Sequence, residues 1–435
     1  MKKNRRSFIQ LAGAAGLSLA GGKYFNLHED MTNKKTGMRD NLLHKAYDSG
    51  LSGTEETAVN LIGPYGPWAA GLLEKDLPSL SFRRNEFTNS ESWKKEAKNR
   101  LAERLGFPDI GLAPPVRKTR EYSYDGLHIE ELEWQLPYGR PTSALLLKPA
   151  GASGKLPGII AFHDHGGNKY FGTRKITRTS EKQHPLIRAH QEQYYEGRAW
   201  ANELARKGYV VLVADAFPFA SRRVMMQDVP PHQRQGLDDN NPENSGNIEA
   251  YNRWAAQHEH VMAKSLFSAG TTWPGVFLAE DLKALDILCS RDDVDSSRIG
   301  CGGLSGGGMR TVFAGGFDER IRCAVCVGFM TTWKDFILNK SFTHTWMTYV
   351  PILPKELDFP EILGLRVPLP TLVLNDSEDG LYTIGEMRKA DSILREIFEK
   401  AGAASNYHCS FHPGPHKFDI AMQNEAFDWF DKWLK

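Results

Sequence analysis

The sequence reads Arg298-Ile-Gly-Cys-Gly-Gly-Leu-Ser-Gly-Gly-Gly308 across the segment that is most informative about its architecture. An apolar run leads into the pattern Gly-x-Ser-x-Gly, and the residues that follow, Met309–Ala314, favour a helix. Glycines beside the serine have no side chain, so two backbones can pass closely at a sharp strand-to-helix turn. Such a turn projects the serine into solvent. The segment therefore predicts a strand, a tight turn and a helix, with Ser305 as a nucleophile. The alternative is a glycine-rich turn without a catalytic role.

The sequence downstream of this serine supplies the acid that such a nucleophile requires. A serine hydroxyl is activated when an imidazole takes its proton and a carboxylate orients that imidazole. The acid is expected in the loop after the second strand beyond the serine, where Asp376, Glu378 and Asp379 follow the apolar run Thr371–Asn375. Asp376 lies at the strand exit and Glu378 is expected to face water. The spacing therefore favours Asp379.

The base is expected after the next strand along the chain. That strand leads into His412-Pro-Gly-Pro-His-Lys-Phe418, a loop that ends at the last predicted helix. His416 holds the expected position and is the predicted base, while His412 is the alternative. Serine, acid and histidine then follow one another in the order that is shared by enzymes with this serine turn.

Apolar, β-rich runs alternate with helical stretches after Pro157. The predicted strands are Gly158–Phe162, Tyr209–Ala214, Arg298–Gly302, Cys323–Gly328, Thr371–Asn375 and Asn406–Phe411. The predicted helices among them are Ala199–Lys207, a stretch that aligns Leu278, Leu282, Leu285 and Cys289, and Ile420–Leu434. Such alternation predicts a mostly parallel sheet with helices on both faces.

An antiparallel edge is expected before this alternation begins. Three strand-like runs, Arg117–Tyr124, His128–Gln135 and Thr142–Lys148, are separated by Asp125-Gly126 and by Pro137-Tyr-Gly139. Both separators are typical of hairpin turns.

The amino-terminal part of the chain has the composition of an export signal followed by a helical extension. Residues 1–20 combine a basic start with an apolar run, Phe8–Ala20, and Asn4-Arg-Arg-Ser-Phe-Ile9 resembles the twin-arginine type. Cleavage is expected after this segment, and an uncleaved membrane anchor is the alternative. Residues 21–115 are predicted as an extension with a helix from Ser90 to Gly106.

The rest of the chain, 116–435, is predicted as the main domain. Within it, residues 216–273 are polar and rich in Gln, Asn and Pro, and they follow a strand's carboxyl end. Insertions of this length are usually binding loops or lids, which predicts a lid over the functional face of the sheet.

Charge and cysteine content exclude some classes of function. The chain has 54 basic and 53 acidic residues, so nothing indicates a nucleic-acid partner. Five cysteines include the pair Cys323-Ala-Val-Cys326. Because that pair lies inside an apolar run, we expect a buried strand rather than a metal or redox site.

Over residues 116–435 the chain resembles bacterial α/β-hydrolases related to acetylxylan esterases and dienelactone hydrolases. The matching stretches are Phe162-His-Asp-His-Gly-Gly167, Leu212-Val-Ala-Asp215, Asp293-Val-Asp-Ser-Ser-Arg-Ile-Gly300, the serine turn and the two loops that hold Asp379 and His416. The group most similar in pattern is the exported hydrolases often described as acetylxylan esterase-like. Dienelactone hydrolases use a cysteine where this chain has Ser305, and glucuronoyl esterases carry different residues around their serine, which disfavours both activities.

The resemblance also implies where the oxyanion donors lie. Charge that develops on a carbonyl oxygen must meet preorganised N–H groups, one of which comes from the residue after the nucleophile, Gly306. The loop after the strand Gly158–Phe162 is expected to supply the second donor. There His165-Gly166-Gly167 resembles an HGG-type motif, and either the His165 or the Gly166 amide fits.

A metal site is the alternative interpretation of this loop. Two imidazoles and a carboxylate are adjacent in His163-Asp164-His165, and zinc-bound water can hydrolyse esters. Consecutive side chains of an extended segment point to opposite sides, however, and further ligands of a His-x-His-x-Asp-His pattern are absent from the sequence. We therefore predict no metal and no cofactor.

These residues predict hydrolysis of a carboxylic ester through an acyl-enzyme, outside the cytoplasm. The expected substrate is a small-molecule or carbohydrate ester, with no nucleic acid and no stable membrane insertion after signal cleavage. A serine peptidase of the same fold and a non-catalytic carbohydrate- or partner-binding module are the alternatives. Candidate pocket residues, for which simple packing is an equal explanation, are Tyr170, Phe171, Trp333, His344 and Trp346.

Overall fold

The computed structural model describes residues 59–73 and 75–435. The predicted export signal, 1–20, and part of the predicted extension, 21–115, lie outside these ranges, so the division into domains stays a prediction. No helix of the described residues is long and apolar enough to cross a membrane.

One mixed sheet organises the described part of the chain. Its strands are β1 (Arg117–Tyr124), β2 (Leu127–Trp134), β3 (Thr142–Pro149), β4 (Leu156–Ala161), β5 (Val210–Ala214), β6 (Val294–Leu304), β7 (Ile321–Val327), β8 (Thr371–Asp376) and β9 (Tyr407–His412). They are ordered β1-β2-β3-β5-β4-β6-β7-β8-β9. In this spatial order, the neighbours β1-β2, β2-β3 and β3-β5 pair antiparallel. All the remaining neighbours, from β5-β4 to β8-β9, pair parallel. The predicted mostly parallel sheet with an antiparallel edge is confirmed.

Helices flank this sheet. The longer ones among the described residues are α1 (Ser90–Leu105), α2 (Pro185–Tyr195), α3 (Trp200–Arg206), α4 (Ser245–Ser268), α5 (Trp273–Cys289), α6 (Gly306–Phe317), α7 (Ile384–Lys400) and α8 (Ile420–Leu434). Shorter helices are Gly66–Ala70, Trp333–Asp335 and Phe359–Gly364. The sequence patterns above predict α1, α3, α5, α6 and α8 but not α2, α4 and α7.

The sheet separates two hydrophobic cores. Successive residues of β5 alternate between them, with Val210 and Leu212 in one core and Val211 and Val213 in the other. Because side chains of a strand point to opposite faces in turn, a fully apolar strand needs cover on both sides. Helices α1, α5, α6 and α7 contribute to the first core, and α2, α3 and α8 contribute to the second.

Helix α1 begins and ends where its sequence predicts. The Asn89 side chain accepts a hydrogen bond from Ser92 N, which caps the first turn. Gly106 follows the last turn with a φ of 54°, and a Cβ there would lie 2.2 Å from the Gly270 carbonyl oxygen, so only glycine fits. Trp93 of this helix belongs to the first core.

The insertion 216–273 is more ordered than its polar composition suggests. Its second half is the 24-residue helix α4, which the Asn244 side chain caps at Asn247 N. The buried positions of α4 are Ile248, Tyr251, Trp254, Ala255, Glu259 and Ala263. Each of these residues has another of the set three or four positions away, a helical signal that the high Gln and Asn content obscures.

Candidate active site

Ser305 lies at a tight turn between β6 and α6. Its φ is 58° and its ψ is −119°, a conformation that residues other than glycine rarely adopt. A Cβ on Gly303 or Gly307 would lie 2.3 Å or 2.4 Å from the Phe162 carbonyl oxygen. The two outer glycines of the motif are therefore required because Phe162, the residue that follows β4, passes directly against the turn.

His416 and Asp379, which the sequence places 37 residues apart, are in contact. His416 Nδ1 lies 2.6 Å from Asp379 Oδ2, and Asp379 Oδ1 accepts a hydrogen bond of 2.9 Å from Leu381 N. A Cβ on Gly328 would lie 2.9 Å from His416 Cε1, so this glycine leaves room for the imidazole. The carboxylate is buried and held from both of its oxygens, which fixes the orientation of the ring.

The alternative acid and base occupy other positions. Asp376 has a ligand atom within 4.8 Å of those of Asp379 and His416, but its Oδ2 accepts from Lys417 N at 3.0 Å. Burial raises the pKa of Asp376 to about 7. His412 Nε2 lies 2.8 Å from Glu425 Oε2 instead of facing the serine. The structure thus brings Asp379, rather than Asp376, to the His416 ring nitrogen.

The second nitrogen of His416 is available for chemistry. Burial by itself would lower the pKa of His416, but the Asp379 carboxylate raises it above the usual value. Nε2 is buried and has no hydrogen-bond partner among the described residues, so Ser305 Oγ does not donate to it in this conformation. Both residues line the same pocket. Catalytic hydrogen bonds of free enzymes often form only when substrate binds.

The predicted oxyanion donors lie side by side. A Cβ on Gly306 would be 3.0 Å from His165 N, so the His165 backbone lies directly beside Gly306. Neither the Gly306 amide nor the His165 amide has a hydrogen-bond partner among the described residues. Gly166 has a φ of 50°, and its amide also has no hydrogen-bond partner among the described residues. The His165 and Gly166 amides therefore both stay candidates for the second donor, and the His165 nitrogen is the one that lies beside Gly306.

The pocket that joins these groups has a volume of about 270 Å³. One wall comes from the turn and from residues 164–167, with Met309 and Tyr194 beside them. The other wall comes from residues 343–348 and Leu381. His344 is part of that second wall, and burial lowers its pKa to about 4, so its imidazole is neutral near pH 7.

Most of the aromatic candidates serve packing. Trp333 is buried and its indole N–H donates to the Leu357 carbonyl oxygen, and Phe171 is buried against Tyr170. Trp346 is partly exposed, with 43% of its surface accessible, and does not line the pocket. Of the five candidates, only His344 lines the pocket. Tyr194, Thr345 and Met347 line it without having been predicted.

The side chains of residues 163–165 are held by protein groups. His163 Nδ1 lies 3.0 Å from the Asp164 carbonyl oxygen, and its Nε2 accepts from Ala216 N at 3.2 Å. His165 Nδ1 accepts from Gly167 N at 3.1 Å, and its Nε2 lies 3.1 Å from Glu259 Oε1. These contacts direct the ring nitrogens to four different groups rather than to one ligand position.

A buried ionic cluster holds residues 164 and 165 in place. Asp164 Oδ1 accepts from Tyr195 OH at 2.5 Å and lies 3.1 Å from His190 Nε2. Burial favours the neutral acid, but the positive potential of His190 and Lys175 holds the pKa of Asp164 well below its usual range. Lys175 Nζ donates to the Asp164 and His165 carbonyl oxygens, at 2.7 Å and 2.9 Å. The cluster fixes the backbone on which the proposed donor lies.

The cysteine pair lies inside the sheet. Cys323 and Cys326 are buried residues of β7, and both are free thiols. Burial raises the pKa of each thiol, which opposes formation of the reactive thiolate. Their place on a buried strand agrees with the prediction.

Sequence comparisons relate the chain to hydrolases. The model of the prolyl oligopeptidase family matches residues 268–359, a segment that contains Ser305 but neither Asp379 nor His416. YtaP of Bacillus subtilis (strain 168), named as a hydrolase, is 26% identical over 326 residues, which cover 72% of this chain and 94% of that protein.

Structural comparisons identify the fold. A protein of Bacteroides fragilis described as an acetyl xylan esterase is 17% identical, with a TM-score of 0.58 over 83% of this chain and 84% of that one. A glucuronoyl esterase from Solibacter usitatus is 13% identical, with a TM-score of 0.56 over 82% of this chain and 97% of that one. The chain therefore has the α/β-hydrolase fold, and the resemblance inferred from its motifs is confirmed.

Proposed function

We propose that this chain is a serine esterase that cleaves a carboxylic ester through an acyl-enzyme, with Ser305, His416 and Asp379 as its triad. The observation that carries the proposal is the contact of 2.6 Å between His416 and Asp379 beside a pocket that Ser305 also lines. A carboxylate bound to Nδ1 leaves Nε2 without its proton and directed to the pocket. That is the arrangement a general base requires.

In the first half of the reaction, Ser305 Oγ attacks the ester carbonyl carbon while its proton passes to His416 Nε2. The carbonyl electrons move to the oxygen, and the Gly306 and His165 amides stabilise the resulting charge. The tetrahedral intermediate then collapses, and His416 gives its proton to the departing alcohol. The acyl group remains on Ser305.

In the second half, water attacks the acyl-enzyme and His416 accepts the proton of that water. Collapse of the second intermediate returns the proton to Ser305 and releases the carboxylic acid. Asp379 stays ionised throughout and stabilises the imidazolium that forms twice. No external oxidant, reductant or metal enters this sequence.

We further propose that the alcohol part of the substrate is a carbohydrate. The structurally similar protein described as an acetyl xylan esterase supports this, because removal of an acetyl group from xylan releases a sugar hydroxyl. The composition of residues 1–20 supports export, which would bring the chain to extracellular polysaccharide fragments. Removal of residues 1–20 should abolish export of the protein in a bacterial host.

A peptidase is the second candidate, because the prolyl oligopeptidase family model matches the segment around Ser305. The two candidates differ in leaving group, since amide cleavage must expel a more basic nitrogen. They are separated by assaying an acetylated xylo-oligosaccharide, an aryl acetate and a proline-containing peptide amide with the same protein.

The decisive control is Ser305→Ala, checked for unchanged circular dichroism and thermal unfolding. We expect both esters to be cleaved and the variant to be inactive on them. A fluorophosphonate should add one phosphonyl group to the native protein, at Ser305, and none to the variant. Equal ester cleavage by the two proteins would contradict the proposal, and cleavage of the peptide alone would favour the peptidase.

A further inference from the structure

We propose that Glu259 is a positioning residue that ties the oxyanion loop, defined as residues 163–169, to a second segment of the pocket wall, defined as residues 343–348. This inference rests on the proposed function, because it concerns the same pocket. Glu259 lies on α4, in the insertion, and does not itself line the pocket. It acts through the groups that it holds.

The two carboxylate oxygens of Glu259 bind groups from different segments of the pocket wall. Its Oε1 contacts His165 Nε2 at 3.1 Å and accepts a hydrogen bond from Lys169 Nζ. Its Oε2 accepts from Trp346 N at 3.2 Å. One buried side chain therefore bonds to two segments that are about 180 residues apart in the sequence, each of which contributes residues to the pocket lining.

The bond to His165 fixes more than a side chain. Gly167 N donates to Nδ1 of the ring, so the proton lies on Nε2 and is donated to Glu259. Both ring nitrogens are then occupied, and the ring cannot rotate without breaking a bond. The amide of the same residue lies beside Gly306, where a developing oxyanion would be bound. Holding the ring thus holds the donor.

The charge of Glu259 is maintained by its neighbours. Burial favours the neutral acid, but the hydrogen bond from His165 and the positive charge of Lys169 lower the pKa of Glu259 to about 2. Lys169 is itself buried and has Glu259 as its partner. An ionised carboxylate forms stronger hydrogen bonds than a neutral amide does, which suits an anchor shared by three donors.

The bond to Trp346 N acts on the second wall. The residues on either side, Thr345 and Met347, both line the pocket. A small aryl acetate needs the oxyanion donor but makes little use of this wall, whereas a sugar ester extends along it. Loss of the anchor should therefore lower kcat for both substrates and raise KM mainly for the sugar ester.

The test compares Glu259→Gln with Glu280→Gln. In Glu259→Gln only one side-chain oxygen remains as an acceptor, so it can accept hydrogen bonds from only one of the two segments. The NH2 group is a donor and would face a donor of the other segment. Glu280 offers a matched control, because it is also buried and ion-paired, with Arg222 at 2.6 Å, but touches neither wall. We expect kcat to fall about tenfold or more in Glu259→Gln and less than about threefold in Glu280→Gln. Glu259→Asp, which keeps the charge, should lose less than Glu259→Gln.

Hydrogen exchange of the intact protein provides a readout that does not depend on turnover. Amides of residues 163–169 and 343–348 should exchange faster in Glu259→Gln and not in Glu280→Gln. Unchanged exchange, or equal losses of kcat in the two variants, would overturn the inference. If the native protein shows Ser305-dependent ester cleavage that Glu259→Gln retains in full, only the positioning role fails. If Ser305→Ala retains ester cleavage, the proposed function fails as well.

Discussion

The Ser305 turn and the α4 insertion serve the same pocket but are specified in different ways. The turn is marked by a short pattern of adjacent residues, Gly303 to Gly307, although its outer glycines make room for the distant Phe162 carbonyl oxygen. The contribution of α4 depends on partners that lie 87 to 94 residues away from Glu259. The nucleophile can thus be recognised from its neighbours in the sequence, whereas the contribution of α4 to the pocket is visible only in long-range contacts.

The sharpest test of this contrast is removal of the chemistry alone. Ser305→Ala deletes one oxygen atom and should lower kcat for an aryl acetate by roughly 10⁵-fold or more, because no group replaces the nucleophile. Thermal unfolding should change little. Steady-state kinetics at saturating substrate measure the effect, and a loss below tenfold would show that the turn is only structural.

Removal of the acid should have the next largest effect. Asp379→Asn should lower kcat by about 10⁴-fold, since the imidazole loses the group that sets its tautomer. The carboxylate raises the pKa of His416, so native kcat/KM should fall as pH drops below a value higher than about 6.5. In the variant the pKa of His416 is lower, and the acid limb of the profile should move to lower pH.

Asp376→Asn is the matched control for this change. Asp376 contacts Lys417 N rather than the imidazole, so its substitution should cost far less activity. A larger loss in Asp376→Asn than in Asp379→Asn would reverse the assignment of the acid. Both profiles are measured with the same aryl acetate.

A steric change next to the histidine should have an intermediate effect. Gly328→Ala would place a Cβ 2.9 Å from His416 Cε1 and displace the ring, which should lower kcat about 100-fold. Gly402→Ala is the control, because Gly402 also has a positive φ but nothing within 4 Å of its Cβ position. That variant should lose about 1 kcal/mol of stability with unchanged kcat. Equal kinetic effects would contradict the role given to Gly328.

The smallest effect is expected from the cap of the insertion helix. Asn244→Ala removes the hydrogen bond to Asn247 N and should cost about 1 kcal/mol, with kcat unchanged. Hydrogen exchange should rise in the first turn of α4 and not in α1, which has its own cap at Asn89. Faster exchange throughout the molecule would show that the insertion is an integral part of the core rather than a local unit.

The sequence predicts the parts of this molecule that local rules determine. Strand and helix alternation, the glycine pattern and chain order predict Ser305, Asp379 and His416. In the structure Ser305 and His416 line one pocket, and Asp379 contacts the imidazole. Spacing alone distinguishes Asp379 from Asp376, which is the last residue of β8. Local patterns are sufficient here because each of the three residues lies within four residues of the end of a strand.

The remaining features depend on partners that no local pattern reveals. Helix α4 has a buried stripe, but the Gln- and Asn-rich composition of the insertion favours a loop. Tyr251, Trp254 and Ala255 of α4 pack against other parts of the insertion, whereas Ile248 and Ala263 pack against residues outside it. The position of the His165 amide beside Gly306 is likewise a long-range contact that no local pattern predicts. Trp333 and Phe171 lie near sheet ends, as predicted, but face the core.

Strand β1 shows how a nine-stranded sheet can end without pairing with a strand of another molecule. Its residues are mostly exposed and include Arg117, Lys118, Arg120 and Glu121, with a shift in register between Lys118 and Arg120. Charges and an irregular backbone make a poor template for the edge of a second molecule. At high protein concentration, the charged and irregular edge formed by β1 opposes edge-to-edge polymerisation. This property does not depend on the pocket.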